Sequence, residues 1–283
     1  MKRRGGQGQV VIIGGAEDRE GEAGILREFV SLAGGERARI SIIAVASEDA
    51  SEVAASYVEV FRRLGAAQAH DLGIDGRNDA DDPETVAAAG RATGVFFTGG
   101  NQLRITRTLG GTRLDTLLHK RHAEGLVLAG TSAGAAIMSS VMITGGPPVS
   151  TLRAGGVELG PGMEFVPGVL IDQHFEERGR MRRLLSAVAQ HPHDIGLGID
   201  ENTAAVVGGH RLEVIGAGTV TIIDAGHLTY TNLNELEKDD LLAICGVRVH
   251  ILPAGHRFDL QNREPVARAG RAVGESPEFL TPA

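Results

Sequence analysis

The sequence predicts an α/β fold, a three-layer sandwich in which a mostly parallel β-sheet carries helices on both faces. Two observations predict it. Short continuous apolar runs such as Val10–Ile13 and 94–98 are each followed by paired glycines, which is typical of strands buried on both faces. Helical segments alternate with these runs up to about residue 200, the order of a parallel sheet with helical crossovers.

The elements follow from apolar periodicity and from the residues that end each segment. Strands are predicted over 10–13, 38–46, 69–72, 94–98, 126–129 and 166–171. Helices are predicted over 24–33, 83–89, 102–109, 113–123 and 135–140, and over a segment that Ser47 or Ser51 caps and Gly65 ends. After residue 200, the runs 203–207, 212–215, 219–224 and 247–252 are predicted to form shorter hairpin strands.

The 283 residues fit one large domain, because no linker rich in Pro, Gly or Ser divides them. We predict a flexible arm over 1–9, a single α/β domain over 10–260 and a tail over 261–283. With 42% hydrophobic and 23% charged residues, the composition excludes a wholly disordered chain.

Charge and apolar patterning restrict the partners and the compartment. The net charge of −8 disfavours nucleic acid as a ligand. No apolar run reaches the ~18–20 residues of a membrane helix, and the basic N-terminus lacks the apolar segment of a signal peptide. The single cysteine, Cys245, cannot form an intrachain disulfide. We therefore expect a cytoplasmic protein, with disulfide-free secretion as the alternative.

A candidate nucleophile stands in Gly130-Thr131-Ser132-Ala133-Gly134, which fits the pattern G-x-S-x-G. An apolar strand precedes it and small residues follow it, which is the context of a nucleophile elbow. The small neighbours permit the strained turn that projects the Ser132 hydroxyl. A simple tight turn between strand and helix is the alternative interpretation.

A serine nucleophile needs a base and an acid that orients the base. His174 follows the apolar stretch 166–171, at the end of a predicted strand, although a buried structural histidine would also occupy such a position. Asp200 or Glu201, at another strand end, could orient it, and a polar turn is the alternative. The order Ser, His, acid differs from the α/β-hydrolase order Ser, acid, His. It matches class I glutaminases, so the chain is similar to a serine version of that flavodoxin-like architecture.

Two further clusters lie beside these candidates. In Thr98-Gly99-Gly100-Asn101-Gln102, the amide of Gly100 could join that of Ala133 as an oxyanion donor, and Gln102 could bind an amide or carboxylate. Arginines 178, 180, 182 and 183 suggest carboxylate binding, although a charged helix face offset by Glu176 and Glu177 is the alternative. No dinucleotide, P-loop or zinc motif is present, so we predict neither metal nor cofactor.

The motifs together resemble the cyanophycinases, serine exopeptidases of a family that also includes aspartyl dipeptidases. The resemblance spans about 10–255. It rests on Gly14-Gly15-Ala16-Glu17-Asp18, the Thr98 and Gly130 motifs above, Asp172-Gln173-His174-Phe175 and Gly198-Ile199-Asp200-Glu201, in family order. Asn101 departs from the aspartate that the family often has.

The resemblance implies a glutaminase-like sandwich, a homodimer without metal, and cyanophycin or aspartyl-arginine peptides as substrate. It implies that Ser132 is the nucleophile, His174 the base and Glu201 the orienting acid, with oxyanion donors at Gly100 and Ala133. Its pocket residues correspond to Gln102, Asp172, Gln173, Arg178, Arg180 and Arg183. An aspartyl or isoaspartyl dipeptidase, or a non-catalytic glutaminase-like binding module, is the alternative.

Overall fold

The computed structural model describes residues 6–146, 152–153, 156–237 and 240–266. The strands within these ranges are β1 (Val10–Ile13), β2 (Arg39–Ile43), β3 (Gln68–Asp71), β4 (Gly94–Phe97), β5 (Val127–Thr131), β6 (Val141–Gly145), β7 (Glu158–Pro161), β8 (Val169–Gln173), β9 (Ile195–Ile199), β10 (Thr203–Gly208), β11 (Arg211–Gly216), β12 (Thr219–Asp224), β13 (Tyr230–Thr231), β14 (Ile244–Cys245), β15 (Arg248–Pro253), β16 (Arg257–Asp259) and β17 (Glu264–Val266). The α-helices are α1 (Gly24–Leu32), α2 (Ala50–Arg63), α3 (Arg77–Asp81), α4 (Pro83–Gly90), α5 (Gln102–Leu109), α6 (Arg113–Ala123), α7 (Ala133–Ala136) and α8 (Met181–Gln190).

A nine-stranded sheet forms the centre of the molecule, in the order β17-β16-β11-β10-β1-β5-β4-β2-β3. Strands β1 to β5 pair in parallel, and the hairpin strands β10, β11, β16 and β17 extend the sheet antiparallel from β1. The predicted α/β fold with a large, mostly parallel sheet and additional C-terminal hairpin strands is therefore confirmed.

A second sheet of four strands has the order β15-β12-β9-β8 and was not predicted as a separate layer. Strands β8 and β9 are parallel, while β12 and β15 are antiparallel to their neighbours. The apolar runs of these strands resemble those of the central sheet, and only the long-range pairing decides which sheet a strand joins.

The hydrophobic core lies on both faces of the central sheet. On one face, α1 and α2 pack through Phe29 and Phe61 against β2, β4 and β5. On the other face, α5, α6 and the second sheet cover strand residues such as Ile12 and Phe97. Helix α8 covers the outer side of the second sheet. The carboxyl ends of the parallel strands therefore lie at one edge of the sheets, between these layers.

Two predicted elements near this edge have different bounds. The helix predicted over 135–140 begins at Ala133 and ends at Ala136, because the chain then turns and the carbonyls of Ile137 and Met138 accept from Met163 and Val166. The strand predicted over 166–171 runs instead from Val169 to Gln173, so Asp172 and Gln173 are strand residues.

Backbone hydrogen bonds occur on both sides of the predicted domain, in the described parts of the predicted arm and tail. Of the predicted arm, residues 1–5 lie outside the described residues, while the Gly8 N–H donates to the His122 carbonyl. Of the predicted tail, 267–283 lies outside the described residues, while β17 pairs with β16. The sheet thus continues to Val266, beyond the predicted domain end at 260. Within the described part of the chain, no helix is both long and apolar enough to cross a bilayer.

Candidate active site

Ser132 occupies a strained turn between β5 and α7. Its φ of 51° and ψ of −110° lie in a region that L residues rarely adopt. The Ser132 N–H donates to the carbonyl of Ile13, and its own carbonyl accepts from Ala135 and Ala136 at the start of α7. The backbone therefore has the geometry expected of a nucleophile elbow.

His174 follows β8 directly and brings its imidazole to the serine. Its Nε2 lies 2.9 Å from Ser132 Oγ, within hydrogen-bond distance. The residue is 9% exposed and has a φ of 50°, so the chain turns sharply at the strand end. His174 is thus placed to accept the serine proton through Nε2.

Glu201 makes the second contact to the imidazole. Its Oε1 lies 2.6 Å from His174 Nδ1, so the Nδ1–H can donate to the carboxylate and leave Nε2 free to accept. Asp200, the other candidate, is turned away and accepts from the Thr219 N–H and hydroxyl and from the Glu176 N–H. The structure therefore connects Ser132, His174 and Glu201 by two consecutive hydrogen-bond contacts.

A turn that the sequence analysis did not place in the site holds these three segments together. The consecutive carbonyls of Ile13, Gly14 and Gly15 accept from the N–H groups of Ser132, His174 and Asn202, at 3.1, 2.8 and 2.8 Å. A Cβ on Gly15 would lie 2.3 Å from the His174 ring, so the imidazole packs directly on this glycine. The signal in the sequence was the glycine pair at a strand end.

The predicted oxyanion donors Gly100 and Ala133 belong to two segments next to Ser132. A Cβ on Gly99 would be 3.5 Å from the Ser132 Cβ, so the turn that contains Gly100 passes directly beside the nucleophile. Gly100 has a φ of 137° and is fixed by the Asn101 N–H, which donates to the Ala46 carbonyl. Ala133 is the first residue of α7, so its N–H has no acceptor within the helix.

The predicted binding residues differ in burial and in the contacts that they already make within the protein. The Gln102 side-chain amide donates to the carbonyl of Ile143 at 2.8 Å and so holds the adjacent β6 strand. Gln173 is buried at the end of β8, and its carbonyl accepts from Arg180. Arg178 is exposed between β8 and α8.

Asp172, which the resemblance implies to be a pocket residue, does not face open solvent. It is 0% exposed, and both carboxylate oxygens accept from arginine: Arg183 Nε at 2.8 Å and Arg180 Nη1 at 3.2 Å. Burial raises the pKa of Asp172, which the two arginines oppose, and burial lowers the pKa of Arg180 to about 10. The carboxylate orients the two arginines instead.

The arrangement is suited to acyl transfer. A serine hydroxyl, an imidazole and a carboxylate lie within hydrogen-bond reach, in the order that a nucleophile, a base and an orienting acid would need. Within the described ranges, no three His, Cys, Asp or Glu side chains gather as a metal site would require.

Comparison with known proteins identifies relatives over most of the chain. Residues 10–215 match peptidase family S51. The chain is 41% identical over 256 residues to a cyanophycinase of Nostoc sp., which covers 90% of this chain and 86% of the relative. It is 40% identical over 260 residues to a cyanophycinase of Geminocystis herdmanii, which covers 91% of this chain and 96% of the relative.

Solved structures support the fold. A peptidase from an acI-B1 Actinobacterium superposes with a TM-score of 0.65 at 23% identity, over 89% of this chain and 97% of that chain. A putative peptidase E from Listeria monocytogenes superposes with a TM-score of 0.53 at 15% identity, over 75% of this chain and 100% of that chain. The chain belongs to peptidase family S51 and is a hydrolase of peptide bonds.

Proposed function

We propose that this peptidase hydrolyses cyanophycin, multi-L-arginyl-poly-L-aspartate, as a serine exopeptidase that releases β-aspartyl-arginine dipeptides. The observation that carries the mechanism is the alignment of Ser132, His174 and Glu201 at 2.9 and 2.6 Å. The substrate is inferred from the cyanophycinases to which the chain is 38–41% identical.

In the first half-reaction, Ser132 Oγ attacks a backbone carbonyl carbon of the polymer while His174 Nε2 takes the hydroxyl proton. The amides of Gly100 and Ala133 stabilise the oxyanion, and one such donor typically contributes about 3–4 kcal/mol to lowering the barrier. The tetrahedral intermediate collapses, the C–N bond breaks, and the imidazolium gives its proton to the leaving amine. Ser132 then carries an acyl ester.

In the second half-reaction, water attacks the acyl ester and His174 takes a proton from it. Collapse of the second tetrahedral intermediate releases a carboxylate and returns the proton to Ser132. Glu201 stabilises the imidazolium in both halves, because its carboxylate accepts from Nδ1.

Substrate charge is matched by the arginines after His174. Asp172 accepts from Arg180 Nη1 and from Arg183 Nε and Nη2, and we expect the remaining N–H groups of the two guanidinium groups to bind a substrate carboxylate. Arg178 is exposed and lies on the same segment. We expect Arg178→Ala to raise KM for the polymer. Arg183→Ala should also destabilise the fold, because it removes a partner of the buried Asp172. An unchanged KM in Arg178→Ala would remove that residue from the pocket.

The test of the proposed function is hydrolysis of purified cyanophycin by the wild type and by Ser132→Ala, with products identified by mass spectrometry. We expect β-aspartyl-arginine from the wild type alone. A serine-reactive phosphonate should label the wild type but not Ser132→Ala. Labelling without release from the polymer, together with cleavage of aspartyl or isoaspartyl dipeptides, would assign a dipeptidase instead. If the wild type is neither labelled nor able to hydrolyse these substrates, the result would favour a non-catalytic binding module.

We also propose a homodimer, as the resemblance to the cyanophycinases implies. Among the described residues, the large hydrophobic side chains that are exposed are Tyr230, Leu241, Val249, Ile251 and Val266, all near the C-terminus. Light scattering should give twice the chain mass, and Ile251→Asp should give a monomer if these residues form the interface. A monomeric wild type would reject the proposal.

The cytoplasm is the compartment that we propose. The supporting observation is the single cysteine, Cys245, which provides no intrachain disulfide. Cell fractionation with antibodies against the chain should recover it with cytoplasmic markers, and recovery from the medium would reject this location.

A further inference from the structure

Glu17 is a buried carboxylate beside the proposed active site to which the mechanism above gives no role. The residue is 6% exposed. Its Oε2 accepts from the Thr131 hydroxyl at 2.5 Å, and its Oε1 accepts from the Tyr57 hydroxyl. Within the described residues, no Lys, Arg or His forms an ion pair with it. A buried carboxylate with no cation beside it is unfavourable for stability, and its oxygens instead hold two hydroxyl groups in fixed directions.

One of its two partners is the residue directly before the nucleophile. Thr131 ends β5 and is 4% exposed, and the strained backbone of Ser132 begins at the next residue. A strained turn of this kind persists only where the surroundings fix it from several sides. The Ser132 N–H is held by Ile13 and its carbonyl by α7, while Glu17 holds the side chain of Thr131.

The other partner, Tyr57, is packed among aromatic rings. The Tyr57 ring on α2 packs on Phe96 at a centroid distance of 4.6 Å and on Phe61 at 6.0 Å. Its pKa is raised by burial and by the Glu17 charge, so the hydroxyl remains a donor. Glu17 therefore connects a rigid aromatic cluster to the start of the nucleophile turn.

Glu17 also belongs to the loop that holds the other two members of the triad. Residues 13–15 accept from Ser132, His174 and Asn202, and the Asp18 N–H donates to the Asn202 side chain at 2.9 Å. Asn202 follows Glu201 directly. A shift of Glu17 would thus move both the serine turn and the loop that aligns His174 and Glu201.

We infer that Glu17 is a positioning residue, which acts through Thr131 and the 13–18 loop to hold Ser132 in its reactive geometry. This inference rests on the proposed serine mechanism. A misplacement of about 1 Å at a reacting atom can cost as much as 100-fold in rate. The loss of one of several supports should therefore lower kcat about tenfold and leave KM nearly unchanged.

The experiment compares Thr131→Val, Thr131→Ser and Glu17→Gln with the wild type. Rates of phosphonate labelling at Ser132 and kcat on the polymer are measured per folded molecule. We expect Thr131→Val and Glu17→Gln each to lower both rates about tenfold, and Thr131→Ser to recover most of the loss by restoring the hydroxyl. The double variant Glu17→Gln/Thr131→Val should be no slower than the slower single variant, because both changes act on the same contact between Glu17 and Thr131.

Thr221→Val is the matched control, since Thr221 is equally buried at 4% and lies in β12 of the second sheet, outside β5 and the 13–18 loop. It should keep wild-type kcat and labelling rates. Wild-type rates in Thr131→Val, or no recovery in Thr131→Ser, would overturn the positioning role while leaving the serine mechanism intact. A wild type that neither labels nor hydrolyses the polymer would overturn the serine mechanism, and the inference with it.

Discussion

At the scale of single residues, the candidate site depends on which carboxylate contacts the imidazole of His174. Neighbouring Asp200 and Glu201 have the same charge, but only Glu201 reaches Nδ1. Asp200 accepts three hydrogen bonds, from Glu176 and Thr219, and so ties the turn that presents Glu201 to two other segments. Two adjacent carboxylates therefore divide the chemical and the structural role between them.

We expect Glu201→Gln to lower kcat on the proposed substrate by about 10²–10⁴-fold. The amide removes the charge that stabilises the imidazolium, and it can hold the ring in the wrong tautomer. Steady-state kinetics and phosphonate labelling of Ser132 measure the effect.

The matched control for that variant is Glu176→Gln, since Glu176 is an exposed carboxylate two residues after His174. It should keep kcat within about twofold, as surface substitutions usually have small effects. A Glu201→Gln variant with wild-type kcat would show that the orienting acid is dispensable.

At the scale of elements, the turn after β1 aligns segments that are far apart in the chain. Ser132, His174 and Asn202 each donate to one carbonyl of residues 13–15, so the strand end acts as a shared backbone support. Gly15 has a φ of 104° and lies against the imidazole, and both features require glycine.

Gly15→Ala should reduce kcat by more than about 100-fold, because the added Cβ would fall 2.3 Å from the His174 ring and displace it. The backbone strain adds about 1–2 kcal/mol of destabilisation. Kinetics together with denaturant unfolding separate the two effects.

Gly73→Ala isolates the strain. Gly73 also has positive φ, at 62°, but a Cβ there would meet no atom within 4 Å. It should lose a similar free energy of unfolding and retain wild-type kcat. Equal loss of activity in both variants would mean that strain, rather than contact with His174, is the cause.

At the scale of the whole molecule, buried histidines couple stability to pH. His122 is 3% exposed, and burial lowers its pKa, while its Nδ1 lies 2.9 Å from the Leu126 carbonyl. Burial and the Arg91 charge lower the pKa of His70. In both cases the unfolded chain binds the proton more readily than the folded protein does.

The free energy of unfolding should therefore be highest above about pH 6.5, the ordinary pKa of histidine in the unfolded chain. It should decrease as the pH falls from this value towards the lowered pKa values of the folded protein. For His122 the slope is at most about 1.4 kcal/mol per pH unit. Urea unfolding at pH 7.5 and 5.5 measures the difference, which should be smaller in His122→Gln. His193→Gln, at an exposed histidine, should leave it unchanged. An unchanged pH dependence in His122→Gln would remove this residue as a source.

Sequence patterns were sufficient where the structure depends on neighbours in the chain. The strand Val10–Ile13 and the helices α5 and α6 have the predicted bounds, because apolar periodicity and caps such as Asn101 and Thr112 act locally. The Ser132 motif was recognisable for the same reason, since a strained turn needs small residues at fixed positions.

Long-range contacts decided the rest. Pairing placed β8, β9, β12 and β15 in a second sheet, although their apolar runs look like those of the central sheet. Packing buried Asp172 against Arg180 and Arg183, whereas the resemblance had implied a residue of the substrate pocket.

The sequence by itself determined that this is an α/β peptidase of family S51 with a serine at a strand–helix turn. The resemblance implied Glu201 as the orienting acid, but only the tertiary structure showed its contact with His174, made Gly14 and Gly15 the common support, and buried Glu17 behind the nucleophile. The physical reason is that local propensities act within a few residues, whereas the bonds that define the site join residues at least 27 positions apart.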